Sequence, residues 1–210
     1  DGKNDLHLFS SSQPILSPDW SPSADKIAYV SFEDGSSKIV IQELSSGKRE
    51  ALRSEKGINS SPTWSPKGKY IAAVLSRTGN PDIFLYDVRK KLWKQLTYHY
   101  GIDTEPTWSP NGKKILFTSN RSGTPQIYEI NISNGKIRRK TFEGTYNARA
   151  RYHPDGKSFV LIHRENGLFH VAVQNLRNGR LRILTETALD ESPTISPNGN
   201  IIVYATKRGQ

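Results

Sequence analysis

Apolar and polar positions alternate in short runs along this chain, and the runs recur in sets. The stretch 106–142 holds one full set. PTWSP (106–110) is a short extended stretch, Asn-Gly at 111–112 turns the chain, and KKILFTS (113–119) carries Ile115 and Phe117 two positions apart, on one face of a strand. Asn-Gly between two alternating runs is a strong hairpin signal, because the tight turn needs positive φ at its central residues. NRSGTP (120–125) breaks the chain, QIYEINI (126–132) supplies a third strand, and Asn-Gly at 134–135 leads into a fourth, KIRRKTF (136–142).

The opening of that set is written five times: DWSPSADKIAYV (19–30), TWSPKGKYIAAV (63–74), TWSPNGKKILFT (107–118), RYHPDGKSFVLI (151–162) and TISPNGNIIVYA (194–205). The prolines Pro22, Pro66, Pro110, Pro154 and Pro197 are spaced by 44, 44, 44 and 43 residues. Ile39, Ile83, Ile127 and Val171 keep the same register in strand three, and Thr97, Thr141 and Thr185 keep it in strand four. Helical spacing of three and four persists nowhere. Four short antiparallel strands per repeat of this length make a propeller blade, so the sequence predicts an all-β propeller as a single domain over 1–210. Trp20, Trp64 and Trp108 recur once per blade and are expected to pack between adjacent blades. Trp93 alone is out of phase.

Residues 4–9 match a fourth strand whose first three are missing, and IIVYATKRGQ at the other end stops after a second strand. An N-terminal strand that completes a blade begun elsewhere would remove open edges. Five anchors then mean five blades with a gap, or a larger ring with a blade missing. The chain has no methionine and opens on DGKND, so it looks like an excised piece.

Composition narrows the chemistry. No apolar run approaches the roughly 20 residues of a membrane helix. With no cysteine, there are neither disulfides nor thiolate ligands or nucleophiles. The net charge of +10 suggests an anionic partner, yet the basic runs RKKLWK (89–94), KIRRK (136–140) and RNGRLR (177–182) share one phase, the last strand of each unit. Charge on an outer edge strand blocks edge-to-edge aggregation. That reading is preferred here, with an anionic envelope surface or an acidic partner as the alternative and no nucleic acid expected.

The cadence P-x-W-S-P-x-G-K-x-I-A, and in particular the stretches SPDWSPSADKIAYVSFEDGSSKIVIQEL (17–44), GIDTEPTWSPNGKKILFTSNRSGTPQIYEINISNG (101–135) and ALDESPTISPNGNIIVYATKRGQ (188–210), resemble the propeller repeat of the TolB family. The similarity covers essentially the whole chain. It implies a six-bladed propeller of which about five blades are present, with the family's N-terminal α/β domain and the last stretch of propeller absent. It also implies a periplasmic, non-catalytic, monomeric adaptor of the Tol-Pal system, peripheral to the membrane at most. Four departures stand out: Ala24-Asp25 replaces the turn glycine of the first anchor, Tyr152 and Ile195 replace tryptophan, and Ala150 replaces a proline.

Binding surfaces form readily from loops on a rigid scaffold. The loops from strand four into the next strand one read LSP (16–18), GINSSP (57–62), GIDTEP (101–106), GTYNARA (144–150) and ALDESP (188–193). The resemblance implies that they receive the globular domain of Pal, the peptidoglycan-associated lipoprotein. By repeat position the partner-binding candidates are Asn59, Ser60, Ser61, Asp103, Thr104, Glu105, Tyr146, Asn147, Arg149, Asp190, Glu191 and Ser192. Other Tol proteins would engage the absent N-terminal domain, and bacteriocin segments could compete for the same mouth. Asp103, Glu105, Asp190 and Glu191 place carboxylates near one channel mouth, where oxygen ligands can hold calcium. The preferred reading is that they set the local potential and that no cofactor is needed.

Catalysis would need convergent groups. No G-x-S-x-G, G-x-G-x-x-G or H-E-x-x-H occurs. His7, His99, His153, His163 and His170 fall at unrelated phases, whereas metal-binding histidines should point into one space. The alternative is the non-catalytic propeller of a prolyl-oligopeptidase-like hydrolase whose catalytic domain lies outside this chain.

Overall fold

The computed structural model describes residues 7–52 and 57–207. Within them the chain forms four antiparallel four-stranded sheets and one two-stranded sheet. The first blade is β1 (Ile15–Trp20), β2 (Lys26–Ser31), β3 (Lys38–Glu43) and β4 (Arg49–Ala51). The second is β5 (Asn59–Trp64), β6 (Tyr70–Leu75), β7 (Asp82–Asp87) and β8 (Leu92–Gln95). The third is β9 (Asp103–Trp108), β10 (Lys114–Ser119), β11 (Gln126–Asn131) and β12 (Ile137–Arg139). The fourth is β13 (Asn147–Tyr152), β14 (Ser158–Glu165), β15 (Leu168–Asn175) and β16 (Leu181–Ile183), and the fifth sheet pairs β17 (Asp190–Ile195) with β18 (Ile202–Thr206).

Each blade follows its sequence order from the inner to the outer edge, which places the basic runs on the outer strands β8, β12 and β16 and on the turns that lead into them. The blades lean on one another through the two faces of their middle strands. On β10, Ile115 and Phe117 join a cluster with Ala72, Val74, Ile83 and Leu85 of the second blade. Leu116, on the opposite face, packs with Ala150, Phe159 and Leu161 of the fourth. These strands are buried on both sides, so their runs are nearly continuous in apolar residues.

The tryptophans divide. Trp64 packs on Ala28, Ile39 and Leu52 of the preceding blade, Trp108 does the same one blade on, and both are 7% exposed. Trp20 is 56% exposed, contrary to expectation, because among the described residues no blade lies against its face. Tyr152 takes the tryptophan position in the fourth blade and donates its hydroxyl to Glu129 Oε2 at 3.1 Å. Trp93 lies against Tyr86, ring centroids 5.0 Å apart.

A threonine just after strand four closes the second, third and fourth blades. Ile83 N donates to Thr97 Oγ1 at 2.9 Å, Ile127 N to Thr141 Oγ1 at 2.9 Å, and Val171 N to Thr185 Oγ1 at 3.0 Å. The fourth strands are shorter than their sequence suggested, since the chain turns inward at this hydroxyl. Of the expected stray strand at 4–9, residues 4–6 lie outside the described residues, and 7–9 are not in a strand. Phe9 stacks on Tyr29 of the first blade at 5.3 Å.

Two measurements test this frame. In urea denaturation, Trp64→Ala is expected to cost about 3–5 kcal/mol and Trp20→Ala under about 1 kcal/mol, since only the first empties a packed site. Ala24 takes φ +55° where Gly68, Gly112 and Gly156 take +67°, +69° and +68° in the equivalent turns. Ala24→Gly is therefore expected to stabilise the protein by about 0.5–1 kcal/mol by relieving a left-handed alanine.

Candidate functional site

The candidates assigned to loops lie mostly in strands. Asn59–Ser61, 103–105, 147–149 and 190–192 open β5, β9, β13 and β17. Their polar, proline-bearing sequence reads as loop, but each first strand pairs on both sides of a bulge. In the third blade Asp103 and Thr104 pair with Ser119 and Thr118, Thr107 and Trp108 pair with Leu116 and Ile115, and Glu105-Pro106 is set against Phe117. A proline is tolerated there because the ladder bond is already missing.

The bulge residue is left-handed in every blade. Ser17, Ser61, Glu105, Arg149 and Ser192 have φ of 51°, 49°, 55°, 55° and 51°. Four of them precede a proline, a position that disfavours helical backbone. Such a conformation costs about 1–3 kcal/mol per residue and persists only where surrounding structure enforces it. Here it serves geometry. The bulge side chains and the residues two further along all line one cavity of about 620 Å³. The five first strands therefore surround a common channel in two tiers. The first holds Ser17, Ser61, Glu105, Arg149 and Ser192, and the second Asp19, Thr63, Thr107, Arg151 and Thr194.

In the first tier the charges satisfy one another across blades. Arg149 Nε lies 3.1 Å from Glu105 Oε1, its backbone N donates to Glu105 Oε2 at 3.0 Å, and its Nη1 donates to Ser192 Oγ at 2.6 Å. Glu191 Oε2 is 3.5 Å from the same Nη1, and Thr118 Oγ1 donates to Glu105 at 2.8 Å. Three blades are tied by this chain of contacts.

The partner-binding candidates that open each strand, Asn59, Asp103, Asn147 and Asp190, are buried and hydrogen-bonded within the propeller. Asn59 Nδ2 donates to Ser37 O at 2.9 Å, and Asp103 pairs with Arg121 at 2.6 Å. Asn147 Nδ2 donates to Gln126 Oε1 at 3.0 Å, and Asp190 accepts from the Thr187 hydroxyl at 2.5 Å. Ser60, Ser61, Thr104, Glu105, Tyr146 and Arg149 are half-buried at the mouth, while Glu191 and Ser192 are exposed. Tyr146 packs edge-on against Phe169 at 5.2 Å beside a smaller cavity of about 170 Å³.

The four carboxylates considered for calcium do not converge. Asp103, Glu105 and Asp190 are held by Arg121, Arg149 and the threonines, and among the described residues no three His, Cys, Asp or Glu side chains form a metal-holding group. His163 and His170 do meet, as cross-strand partners of β14 and β15, a proximity that repeat phase conceals because they occupy different strands. His163 Nδ1 lies 2.9 Å from Asn147 Oδ1, and burial holds its ring below the ordinary pKa.

Asp19 and Arg151 were not singled out by sequence. The signal was present as a polar position two past the bulge that reads Asp, Thr, Thr, Arg, Thr through the blades. Asp19 Oδ2 accepts from Trp64 N at 2.6 Å and joins the first blade to the second. Burial pushes its carboxyl up to about 6, against the opposing effects of the Trp64 N–H, Arg151 and Thr63. Burial likewise lowers Arg151, which Glu105 and Asp19 counteract.

The profile of the TolB beta propeller domain matches residues 1–210. This chain belongs to that family. The TolB structure from Acinetobacter baumannii superposes with a TM-score of 0.92 at 47% identity, over 100% of this chain and 53% of that one. Putative TolB from Agrobacterium tumefaciens, at 21% identity and a TM-score of 0.86, covers 95% of this chain and 72% of that one and shows the shared fold. The Tol-Pal system protein TolB of Xylella fastidiosa (strain M12) is 51% identical over 61 residues, 29% of this chain and 14% of that protein. The chain thus spans about half of the A. baumannii TolB, and the curated match is shorter still. No helix among the described residues of this TolB propeller is long and apolar enough to cross a membrane.

The shift of Asp19 has a sign that can be measured. Its folded value of about 6 exceeds the ordinary 3.8, so the folded chain holds the proton more tightly than the unfolded one. The associated stability is present below about pH 3.8 and lost as pH rises through about 6. Asp19→Asn keeps an acceptor for Trp64 N–H and removes the ionisation cost. It is expected to stabilise the protein on the order of 2–3 kcal/mol at about pH 8 and by under about 1 kcal/mol at about pH 4, read by urea denaturation.

Proposed function

We propose that this propeller is a non-catalytic adaptor of the Tol-Pal cell-envelope system, acting in the periplasm by receiving the globular domain of Pal at its channel mouth. The observation that carries the reading is the first tier itself. A ring of bulged, left-handed residues tied across blades by Glu105, Arg149 and Ser192 presents a surface whose order precedes any partner. Little ordering entropy is then lost on association. The naming of related chains as Tol-Pal system proteins agrees with this role. Support of outer-membrane integrity and cell division would follow from holding Pal, and bacteriocin segments would compete at the same mouth. Other Tol proteins would be reached through an additional domain.

Contact falls to the accessible members of the candidate set: Ser60, Ser61, Thr104, Glu105, Tyr146, Arg149, Glu191 and Ser192. Asn59, Asp103, Asn147 and Asp190 support them from beneath. Tyr146 and Arg149 have the chemistry favoured at energetic centres of interfaces.

Calorimetric titration with the Pal globular domain tests the reading. Thr104→Arg and Arg149→Ala are expected to weaken binding at least about tenfold, on the scale of hot-spot losses. Lys94→Ala, Arg138→Ala and Arg182→Ala on the outer strands should stay within about twofold, as rim or remote charges do. Absence of binding by the unaltered protein, or loss confined to the outer-strand variants, overturns the proposal.

A further inference from the structure

The channel contains one strong donor whose partners fall short of its capacity. A guanidinium carries five N–H groups in a rigid fork. Arg151 lines the channel cavity from β13, and its Nη1 donates to Ala150 O at 2.9 Å. Among the described residues no carboxylate lies within 4.0 Å of it. Its neighbours are differently placed. Arg149, one tier nearer the mouth, is engaged by Glu105, Ser192 and Glu191. Asp19 shares the tier of Arg151, but its carboxylate is held by Trp64 N–H. The remaining side chains of that tier, Thr63, Thr107 and Thr194, are short hydroxyls that can donate or accept.

Arg151 is half-buried on the cavity wall with donor capacity to spare, so the space before it favours an acceptor. The planar fork matches a carboxylate, which it can hold through two parallel hydrogen bonds. Asp19 and Glu105 also line the cavity and repel negative charge, so a dianion such as phosphate is disfavoured relative to a monoanion. At about 620 Å³ the cavity lies within the ordinary range for small-ligand sites. We propose that the channel binds a singly charged carboxylate, gripped by the Arg151 guanidinium with the hydroxyls of Thr107 and Thr194 beside it. The site lies one tier below the mouth and does not depend on which partner the mouth receives.

Asp19 then tunes the site. The charged groups that line the cavity around it are Arg151 and Arg149 of β13 and Glu105 of β9. Its carboxyl titrates near pH 6, so acidification from about pH 7.5 to about pH 5.5 removes one repulsive charge while the ligand remains ionised.

The test follows the Arg151 Nε–Hε resonance of ¹⁵N-labelled protein, assigned through Arg151→Gln, together with the backbone amides of Thr107 and Thr194, which report affinity in the variants as well, during titration with sodium acetate against sodium chloride at equal ionic strength. A saturable acetate shift that chloride does not reproduce is expected. Arg151→Gln should lose at least about tenfold in affinity, and Asp19→Asn should gain about fivefold at about pH 7.5 and lose the pH dependence. A tripeptide with a free C-terminal carboxylate is then compared with its amide. Binding of the free acid tighter than acetate identifies a polypeptide terminus as the source, and binding equal to acetate identifies a free small carboxylate. Equal acetate binding by Arg151→Gln, or a linear response shared with chloride, overturns the proposal. Should Arg151→Gln fail to fold, Arg151→Lys takes its place, with weakened but saturable binding expected and unchanged binding overturning the assignment.

Discussion

A sheet whose middle strands are apolar on both faces has to be covered on both faces, and the rest of this molecule follows from that requirement. Ile115 and Phe117 of β10 point to one neighbour and Leu116 to the other, so the third blade is satisfied only between the second and the fourth. The same holds for its neighbours, where Trp64 and Trp108 each fill the seam with the blade before. Sheets twist, so stacking blades face to face turns them about an axis. Trp20 shows the rule by exception, standing 56% exposed where, among the described residues, no blade covers it.

Convergence on an axis crowds the first strands. Each resolves the crowding with a bulge, and the bulge residue takes a left-handed backbone that only cooperative surroundings sustain. The functional consequence is a division of labour along three alternate positions of each first strand. The strand-opening residue, as in Asn59 or Asp103, is buried and fixes the strand to its neighbours. The bulge residue, as in Glu105 or Arg149, faces the mouth and links blades. The residue two beyond, as in Asp19 or Arg151, faces the channel interior. Electrostatics differ accordingly, since the first tier is internally paired and the second holds an acid and a base that do not touch.

Much of the fold was legible because the repeat is strict. Pro66, Pro110 and Pro154 marked the blade starts, Asn-Gly marked hairpins, and the threonines of strand four announced a position with a fixed task, which the structure identifies as closing the blade. The candidate site was legible only in part. Ser-Pro and Glu-Pro before each tryptophan have the composition of a turn, and local composition cannot distinguish a loop from a strand interrupted by a bulge. The burial of Asn59, Asp103, Asn147 and Asp190 was hidden for the same reason, because polar residues that satisfy strand edges resemble polar residues that meet solvent. His163 and His170 lie seven positions apart in sequence and opposite one another in a hairpin, a relation set by the register of β14 against β15.

The sequence by itself determined the blade, its order of strands, the number of anchors and the positions free to vary within an otherwise repeated framework. Periodicity carries that information, because every copy must solve the same local problem. Only the tertiary structure decided which variable positions share a space. Asp19 and Arg151 are separated by three repeats in the chain, and closure of the first strands around an axis places both in one cavity. Local patterning has no term for such a meeting, since it arises from the packing of whole blades rather than from any interaction within one.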